Sequence, residues 1–242
     1  MLIFNFLILL FFFNFEILNA NVLRKGKIVG GYSADYYQFP YQASLRTALM
    51  STHFCGAFLL TERWLMSAGH CTDKRKPSGV VVVVGAFTRA KDEGVKHNVL
   101  LLVTHPEFDA KSLQNDISMI KTETFIDFTI SIRPVRLQAM PAEEGIEAFV
   151  SGWGYINSKG TNPDVLQWIK VKTINIDECR EKMSKQNAER IFETNICADA
   201  MESTGSNGNG GACMGDSGGP LVTVDGALIG IVSWEVSIIF TN

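Results

Sequence analysis

The stretch Gly215-Asp216-Ser217-Gly218-Gly219-Pro220, near the end of this 242-residue chain, is the one from which the fold can be decided. A serine between glycines has an exposed hydroxyl and a backbone that can adopt unusual torsion angles. Main-chain N–H groups around such a serine can converge on one point, which suits a developing oxyanion. The plainer interpretation is a turn rich in glycine and aspartate, which is common in proteins. The surrounding sequence has to decide between them.

The same residues also fit the G-x-S-x-G elbow of α/β-hydrolases, which requires strands that alternate with helices. This chain instead contains short β-branched or aromatic runs, separated by turn residues, which are typical of an all-β sandwich or barrel. The predicted strands are Phe39–Leu45, Cys55–Leu60, Val80–Val84, Val99–Val103, Ala148–Ser151, Val165–Thr173 and Leu228–Trp234. Only Ile176–Phe192 is predicted to be helical, with Asp177 as its N-cap. The fold class is therefore all-β.

A serine nucleophile needs a base, and the base needs an orienting acid. Among four histidines, His70 lies within the small residues of Ser67-Ala68-Gly69-His70-Cys71. Asp116 is an isolated carboxylate that leads into an apolar run, and a buried carboxylate there would need a partner such as an imidazole N–H. A bridge from Cys71 to Cys55 would pin the histidine segment to a neighbouring strand. A lone histidine is more often structural or solvated, so these residues remain candidates.

Taken in order, these motifs resemble those of the trypsin/chymotrypsin-type serine endopeptidases. The similar segments are Ile28-Val29-Gly30-Gly31, Ser67–Cys71 (with Gly69 where the family usually has Ala), Asn115-Asp116-Ile117-Ser118, Ser151-Gly152-Trp153-Gly154, Gly215–Pro220 and Ser233-Trp234. The resemblance runs from Ile28 to about Trp234. It implies two six-stranded antiparallel β-barrels packed perpendicular to each other, with the catalytic residues at their interface.

The resemblance also implies a role for each residue. Ser217 would be the nucleophile, His70 the general base and then acid, and Asp116 the residue that holds the histidine tautomer. The N–H groups of Gly215 and Ser217 would form the oxyanion hole. Two disulfides, Cys55–Cys71 and Cys179–Cys197, are implied as well, which leaves Cys213 unpaired.

The start of the chain predicts secretion and zymogen activation. Residues 1–20 contain an apolar run that is too short to span a bilayer and is typical of a signal peptide. Residues 21–27 would be an activation segment, and residues 28–242 the protease domain, with barrels at 28–132 and 133–242. By the resemblance, cleavage after Lys27 frees the Ile28 ammonium, which pairs with Asp216 and orders the loop that carries Gly215.

Substrate preference is predicted from the residues near the serine. Family members that prefer Lys or Arg have an Asp six residues before the nucleophile, where this chain has Gly211. A cationic substrate side chain would enter uncompensated, so a chymotrypsin-like or elastase-like preference for apolar residues is favoured. Met214 is a candidate for the pocket rim. Ser233, Trp234 and Glu235 form the segment along which the substrate backbone would pair as an added strand.

The end of the chain departs from the family. Glu235 stands where a glycine is expected, and the family continues with a cysteine that would pair with Cys213, a pocket-wall segment, a last strand and a C-terminal helix. We therefore expect a C-terminally truncated domain whose second barrel is incomplete, with an exposed edge.

These observations predict a secreted serine endopeptidase with no cofactor and no metal site. The expected partners are protein or peptide substrates, an activating protease and protein inhibitors, and the protein would be a monomer. A net charge of −3 without a basic tract argues against nucleic acid, and no membrane partner is expected. The alternative is a catalytically impaired truncated homologue that acts as a binding or decoy protein.

Overall fold

The computed structural model describes residues 31–139, 142–155, 161–201, 216–234 and 238–241. The predicted signal peptide and activation segment lie outside these residues. The strands are β1 (Tyr32–Ser33), β2 (Gln42–Thr47), β3 (His53–Leu59), β4 (Trp64–Ser67), β5 (Val80–Val84), β6 (Val95–Thr104), β7 (Ser118–Thr122), β8 (Arg136–Leu137), β9 (Glu147–Gly152), β10 (Gln167–Ile174), β11 (Asn195–Ala200), β12 (Pro220–Thr223), β13 (Ala227–Trp234) and β14 (Ile238–Thr241). The α-helices are α1 (Gly69–Thr72), α2 (Ile176–Glu181) and α3 (Lys185–Ala188).

The first barrel is a closed antiparallel ring of six strands in the order β2-β3-β4-β7-β6-β5. Strand β2 pairs on both sides, so that Ser44 faces Gly56 of β3 and Val83 of β5. The five consecutive valines of β5 favour a strand because β-branched side chains fit a pleated, half-buried surface. Apolar residues from every strand of the ring fill its interior. The all-β class predicted from the sequence is confirmed.

A second ring forms from β9, β10, β11, β14, β13 and β12, with β12 pairing back onto β9. Strand β1 extends this sheet by pairing with β10, and β8 runs parallel to β13. The core of the second ring contains Val150, Ile169, Ala198 and Leu221, all essentially inaccessible to solvent. The two-barrel architecture is therefore present in the described residues.

The expectation that the second barrel lacks its last strand is wrong. Residues Ile238–Thr241 pair with β11, where Cys197 faces Ile239, and with β13, where Trp234 faces the same Ile239. The segment Ile-Ile-Phe-Thr consists of strong strand formers. The backbone groups of β11 and β13 would otherwise form two unpaired edges, and four residues suffice to pair with both.

The predicted helix over Ile176–Phe192 is divided into α2 and α3. Asp177 is not the N-cap, because the side chain of Asn175 accepts a hydrogen bond of 2.8 Å from the Asp177 N–H. Asp177 instead lies in the first turn of α2, where a carboxylate interacts favourably with the helix dipole and stabilises the helix. Ser184 has an extended backbone, and its side-chain oxygen accepts a hydrogen bond from the N–H of Asn187 at the start of α3. The two helices are therefore not continuous. Within the described residues, no helix has the length and apolar character needed to cross a membrane.

Candidate active site

His70 and Asp116 are joined by two hydrogen bonds. The main-chain N–H of His70, in α1, donates to Oδ1 of Asp116 at 2.7 Å, and ring atom Nδ1 lies 2.8 Å from Oδ2. Asp116 precedes β7 and is fully buried, whereas the side chain of His70 is 28% exposed. An ionised carboxylate only accepts hydrogen bonds, so Nδ1 carries the proton and Nε2 is left as the acceptor. This is the tautomer that a general base requires.

Ser233 makes a third hydrogen bond to the same carboxylate. Its hydroxyl donates to Oδ2 of Asp116 at 2.6 Å, and both side chains are buried. The carboxylate thus receives donors from α1 and from the end of β13, and its orientation is fixed. The sequence assigned Ser233 to the substrate-binding segment and gave no signal for this bond, since the two residues are 117 positions apart.

The turn that carries Ser217 lies against the histidine segment. The carbonyl of Ser217 accepts a hydrogen bond of 2.8 Å from the N–H of Gly56 in β3. Sulfur Sγ of Cys71 lies 3.7 Å from Nε2 of His70 and 3.7 Å from the carbonyl oxygen of Ser217. Ser217 and His70 therefore have a common neighbour, which the disulfide Cys55–Cys71 fixes to β3.

Glycines allow this turn to come close to other segments. Gly218 has a φ of +80°, and a Cβ placed there would lie 2.1 Å from the hydroxyl oxygen of Ser67. A Cβ at Gly152 would lie 2.0 Å from Oδ1 of Asp216. That oxygen accepts a hydrogen bond of 2.8 Å from the N–H of Gly154. Asp216 is fully buried, so the Ser151–Gly154 segment provides space and a donor for a buried charge.

Trp234, the residue after Ser233, lies beside the two short helices. It packs on the apolar cluster of Cys179, Ile191 and Cys197, in which the disulfide Cys179–Cys197 connects α2 to β11. The guanidinium of Arg190 lies over the indole at 4.9 Å from the ring centroid. The sequence named Trp234 as a substrate-binding residue but did not single out Arg190, because nothing in the local pattern connects the two.

Several predicted site residues fall outside the described part of the chain. These are Lys27, Ile28, Gly211, Cys213, Met214, Gly215 and Glu235. Within the described part, His70, Cys55 and Cys71 bring potential metal-ligating atoms within 4.8 Å of one another. The two sulfurs are bonded to each other, however, and a disulfide supplies no thiolate to a metal ion.

Similarity to known proteins extends over most of the chain. A protein-family model described as Trypsin matches residues 28–238. Trypsin-1 of Astacus astacus is 36% identical over 217 residues, which cover 86% of this chain and 88% of that protein. Trypsin II-P29 of Gallus gallus is 34% identical, covering 87% of this chain and 79% of the relative. Serine protease 1 of Canis lupus familiaris is 35% identical, with 86% and 79% covered.

Proposed function

The chain belongs to the trypsin family of serine proteases, and on this basis we propose that it is a secreted serine endopeptidase that hydrolyses peptide bonds with Ser217, His70 and Asp116. The observation that carries the proposal is the His70–Asp116 pair. Two hydrogen bonds of 2.7 and 2.8 Å hold His70 with Nε2 free of the carboxylate. Sulfur Sγ of Cys71 lies 3.7 Å from both Nε2 and the carbonyl oxygen of Ser217, which supports the proposed role of Ser217.

Each residue then has a defined step. Ser217 Oγ attacks the scissile carbonyl carbon as Nε2 of His70 takes its proton, and the tetrahedral oxyanion accepts hydrogen bonds from the N–H groups of Gly215 and Ser217. His70 returns the proton to the leaving amine, which leaves an acyl-enzyme. Water hydrolyses the acyl-enzyme with His70 acting again as base. Asp116 stays ionised and stabilises the imidazolium each time.

Activation by cleavage after Lys27 is part of the proposal. A new Ile28 ammonium would find a buried counter-charge in Asp216, whose carboxylate lies one residue before Ser217 and is fully buried. Ordering of this turn by a new ion pair would then build the oxyanion hole. The activator would be a protease that cleaves after Lys. Secretion through residues 1–20, a monomeric state and protein inhibitors complete the proposal.

The proposed substrate preference is for an apolar residue before the scissile bond. It rests on Gly211, which provides no carboxylate at the position where Lys- and Arg-preferring members have one. The relatives named trypsin make this a sharp test. Peptides that differ only in Phe, Leu, Ala or Lys before the scissile bond would rank the preference, and dominant cleavage after Lys would contradict it.

The experiment that tests the enzyme itself is covalent labelling. The full chain is activated with a Lys-specific protease and treated with a fluorophosphonate, which reacts with an activated serine. We expect one adduct on Ser217 after activation, none before it, and none in Ser217→Ala. Ser78→Ala removes an exposed serine of the first barrel and is the matched control, with labelling expected to equal that of the wild type. Absence of a Ser217 adduct on folded, activated protein would overturn the proposal.

A further inference from the structure

Arg190 is a charged residue whose side chain contacts Trp234 of the predicted substrate-binding segment. It follows α3, and its guanidinium covers the indole of Trp234 at 4.9 Å from the centroid. Trp234 directly follows Ser233, whose hydroxyl contacts Asp116. The guanidinium of Arg190 therefore lies on Trp234, which is adjacent in sequence to the residue that contacts Asp116.

The charge of Arg190 is not neutralised by a carboxylate within the described residues, unlike the charges of Arg180 and Lys182. Arg180 forms ion pairs with Asp177 at 3.1 Å and with Glu193 at 2.7 Å. Lys182 is bonded to Glu178 at 2.7 Å and also to Asp199. In the described part of the chain, atom Nε of Arg190 is buried without a hydrogen-bond partner. A guanidinium held only by an aromatic face retains most of its capacity to bind an anion.

The position of Arg190 is fixed by its neighbours. Its N–H donates to the carbonyl of Asn187 at 3.0 Å, at the end of α3. The next residue, Ile191, is buried in the cluster with Cys179 and Cys197, and its carbonyl accepts a bond of 3.0 Å from Arg180. A guanidinium whose backbone and ring contact are both fixed loses little entropy when it binds a ligand.

The inferred preference rests on the proposed endopeptidase function and on the predicted pairing of the substrate, as an added antiparallel strand, along the segment that begins with Ser233 and Trp234. Residues that face each other across an antiparallel pair lie on the same side of the sheet, and side chains alternate along each strand. In the register we assign, the residue immediately before the scissile bond pairs with Ser233. The second residue before the bond then pairs with Trp234. The fourth residue before the bond points to the same side.

We propose that Arg190 makes this protease select substrates with an acidic side chain, Asp or Glu, at the second or fourth residue before the scissile bond. The carboxylate of the substrate side chain would accept charge-assisted hydrogen bonds from the guanidinium of Arg190. The aliphatic part of the same substrate side chain would cover the indole of Trp234. For a partly exposed pair we expect about a tenfold gain in kcat/KM over the uncharged amide, which decreases with added salt.

The test uses the activated full chain and peptides with one fixed residue before the scissile bond. Glu, Gln or Lys is placed in turn at the second, third and fourth positions before it. We expect wild type to prefer Glu over Gln about tenfold at the second or fourth position and to show no such preference at the third. Arg190→Gln should abolish this preference, and Arg190→Glu should shift it toward Lys. Lys185→Gln removes an exposed cation of α3 and should leave the wild-type preference intact.

Two outcomes would overturn the proposal: equal kcat/KM for Glu and Gln peptides in wild type, or a Glu preference that survives in Arg190→Gln. Fluorophosphonate labelling of each variant separates loss of the acidic preference from loss of an assembled catalytic centre. If no peptide is cleaved, binding of the Glu and Gln peptides to the activated Ser217→Ala variant, measured by calorimetry, still decides the role of Arg190. Equal affinities in that measurement would refute it.

Discussion

The hydroxyl of Ser233 donates a 2.6 Å hydrogen bond to Oδ2 of Asp116 and so connects the two barrels at the candidate active site. Asp116 precedes β7 of the first barrel, and Ser233 lies in β13 of the second. The same oxygen is 2.8 Å from Nδ1 of His70. The orientation of the imidazole therefore depends on contacts from both barrels.

Replacing Asp116 by Asn should reduce kcat by about 10⁴-fold with little change in KM, the loss known for this substitution in triads of this kind. The amide would donate where a carboxylate accepts, which favours the His70 tautomer with its proton on Nε2. Steady-state kinetics on the activated protein would measure the effect. Glu144→Gln, at an exposed carboxylate, is the matched control and should keep wild-type kinetics. A loss below tenfold in Asp116→Asn would contradict this assignment of Asp116.

Replacing Ser233 by Ala should have a smaller effect on kcat, about tenfold, because one of three donors to Asp116 is lost while both His70 bonds remain. A hydrogen bond to a charged group contributes about 1.5–3 kcal/mol, which is also the expected loss in the free energy of unfolding. Kinetics and urea denaturation of the same variant would test both values. Unchanged stability together with unchanged kcat would show that the bond contributes nothing.

Replacing Gly152 by Ala should destabilise the protein by about 1–3 kcal/mol and abolish labelling of Ser217, since the new Cβ would lie 2.0 Å from Oδ1 of Asp216. The buried carboxylate would have to move, and with it the turn that carries the serine. Gly79→Ala is the matched control, because a Cβ at Gly79 meets no atom within 4 Å. Denaturation midpoints and fluorophosphonate labelling of the two variants would be compared, and equal results would refute the prediction.

The two disulfides should differ in their effect on catalysis. Removing Cys55–Cys71 as a double Ala variant should lower both the unfolding free energy, by about 2–4 kcal/mol, and kcat, because Cys71 contacts His70 and Ser217. Removing Cys179–Cys197 should lower stability by a similar amount and affect kcat less, since it connects α2 to β11. If the second variant lost as much kcat as the first, contact with His70 would not explain the difference.

His97 of β6 should make the protein less stable in acid. Burial lowers the pKa of its imidazole below the ordinary value near 6.5, although the nearby carboxylate of Asp127 partly opposes this. Nδ1 is bonded to Thr124 Oγ1 at 2.9 Å, and Nε2 is buried without a partner among the described residues. With a lowered pKa, the unfolded chain binds the proton more readily than the folded one. Stability is therefore lost as the pH falls through 6.5 toward the folded-state pKa.

His97→Gln provides the measurement for this prediction, because glutamine keeps polar atoms near Thr124 and does not titrate. Urea denaturation at pH 7.5 and pH 5 should show a larger loss of unfolding free energy in wild type than in the variant. Equal losses in the two proteins would show that His97 does not carry the effect.

Local pattern in the sequence was enough to predict the all-β class, which is confirmed. It offered His70, Asp116 and Ser217 only as candidates, and their roles, which follow from the resemblance to a family, stay a prediction. Runs such as Val80–Val84 form strands because β-branched side chains prefer that backbone, and the predicted and observed bounds of this strand coincide. Short amphipathic strands were not predicted. Ser118–Thr122, for example, has the sequence Ser-Met-Ile-Lys-Thr, in which polar and apolar residues do not alternate, and its pairing with β4 and β6 defines it as a strand.

The tertiary structure decided the contacts between segments that are distant in sequence. The pairing of Ile238–Thr241 with β11 and β13 closes a barrel that the sequence predicted to be open, because both strand edges are adjacent only after folding. The bond from Ser233 to Asp116 and the contact of Arg190 with Trp234 arise in the same way. The sequence by itself determined which chemistry the chain carries, since motif residues are local. Their orientation depends on long-range packing, which no local pattern specifies.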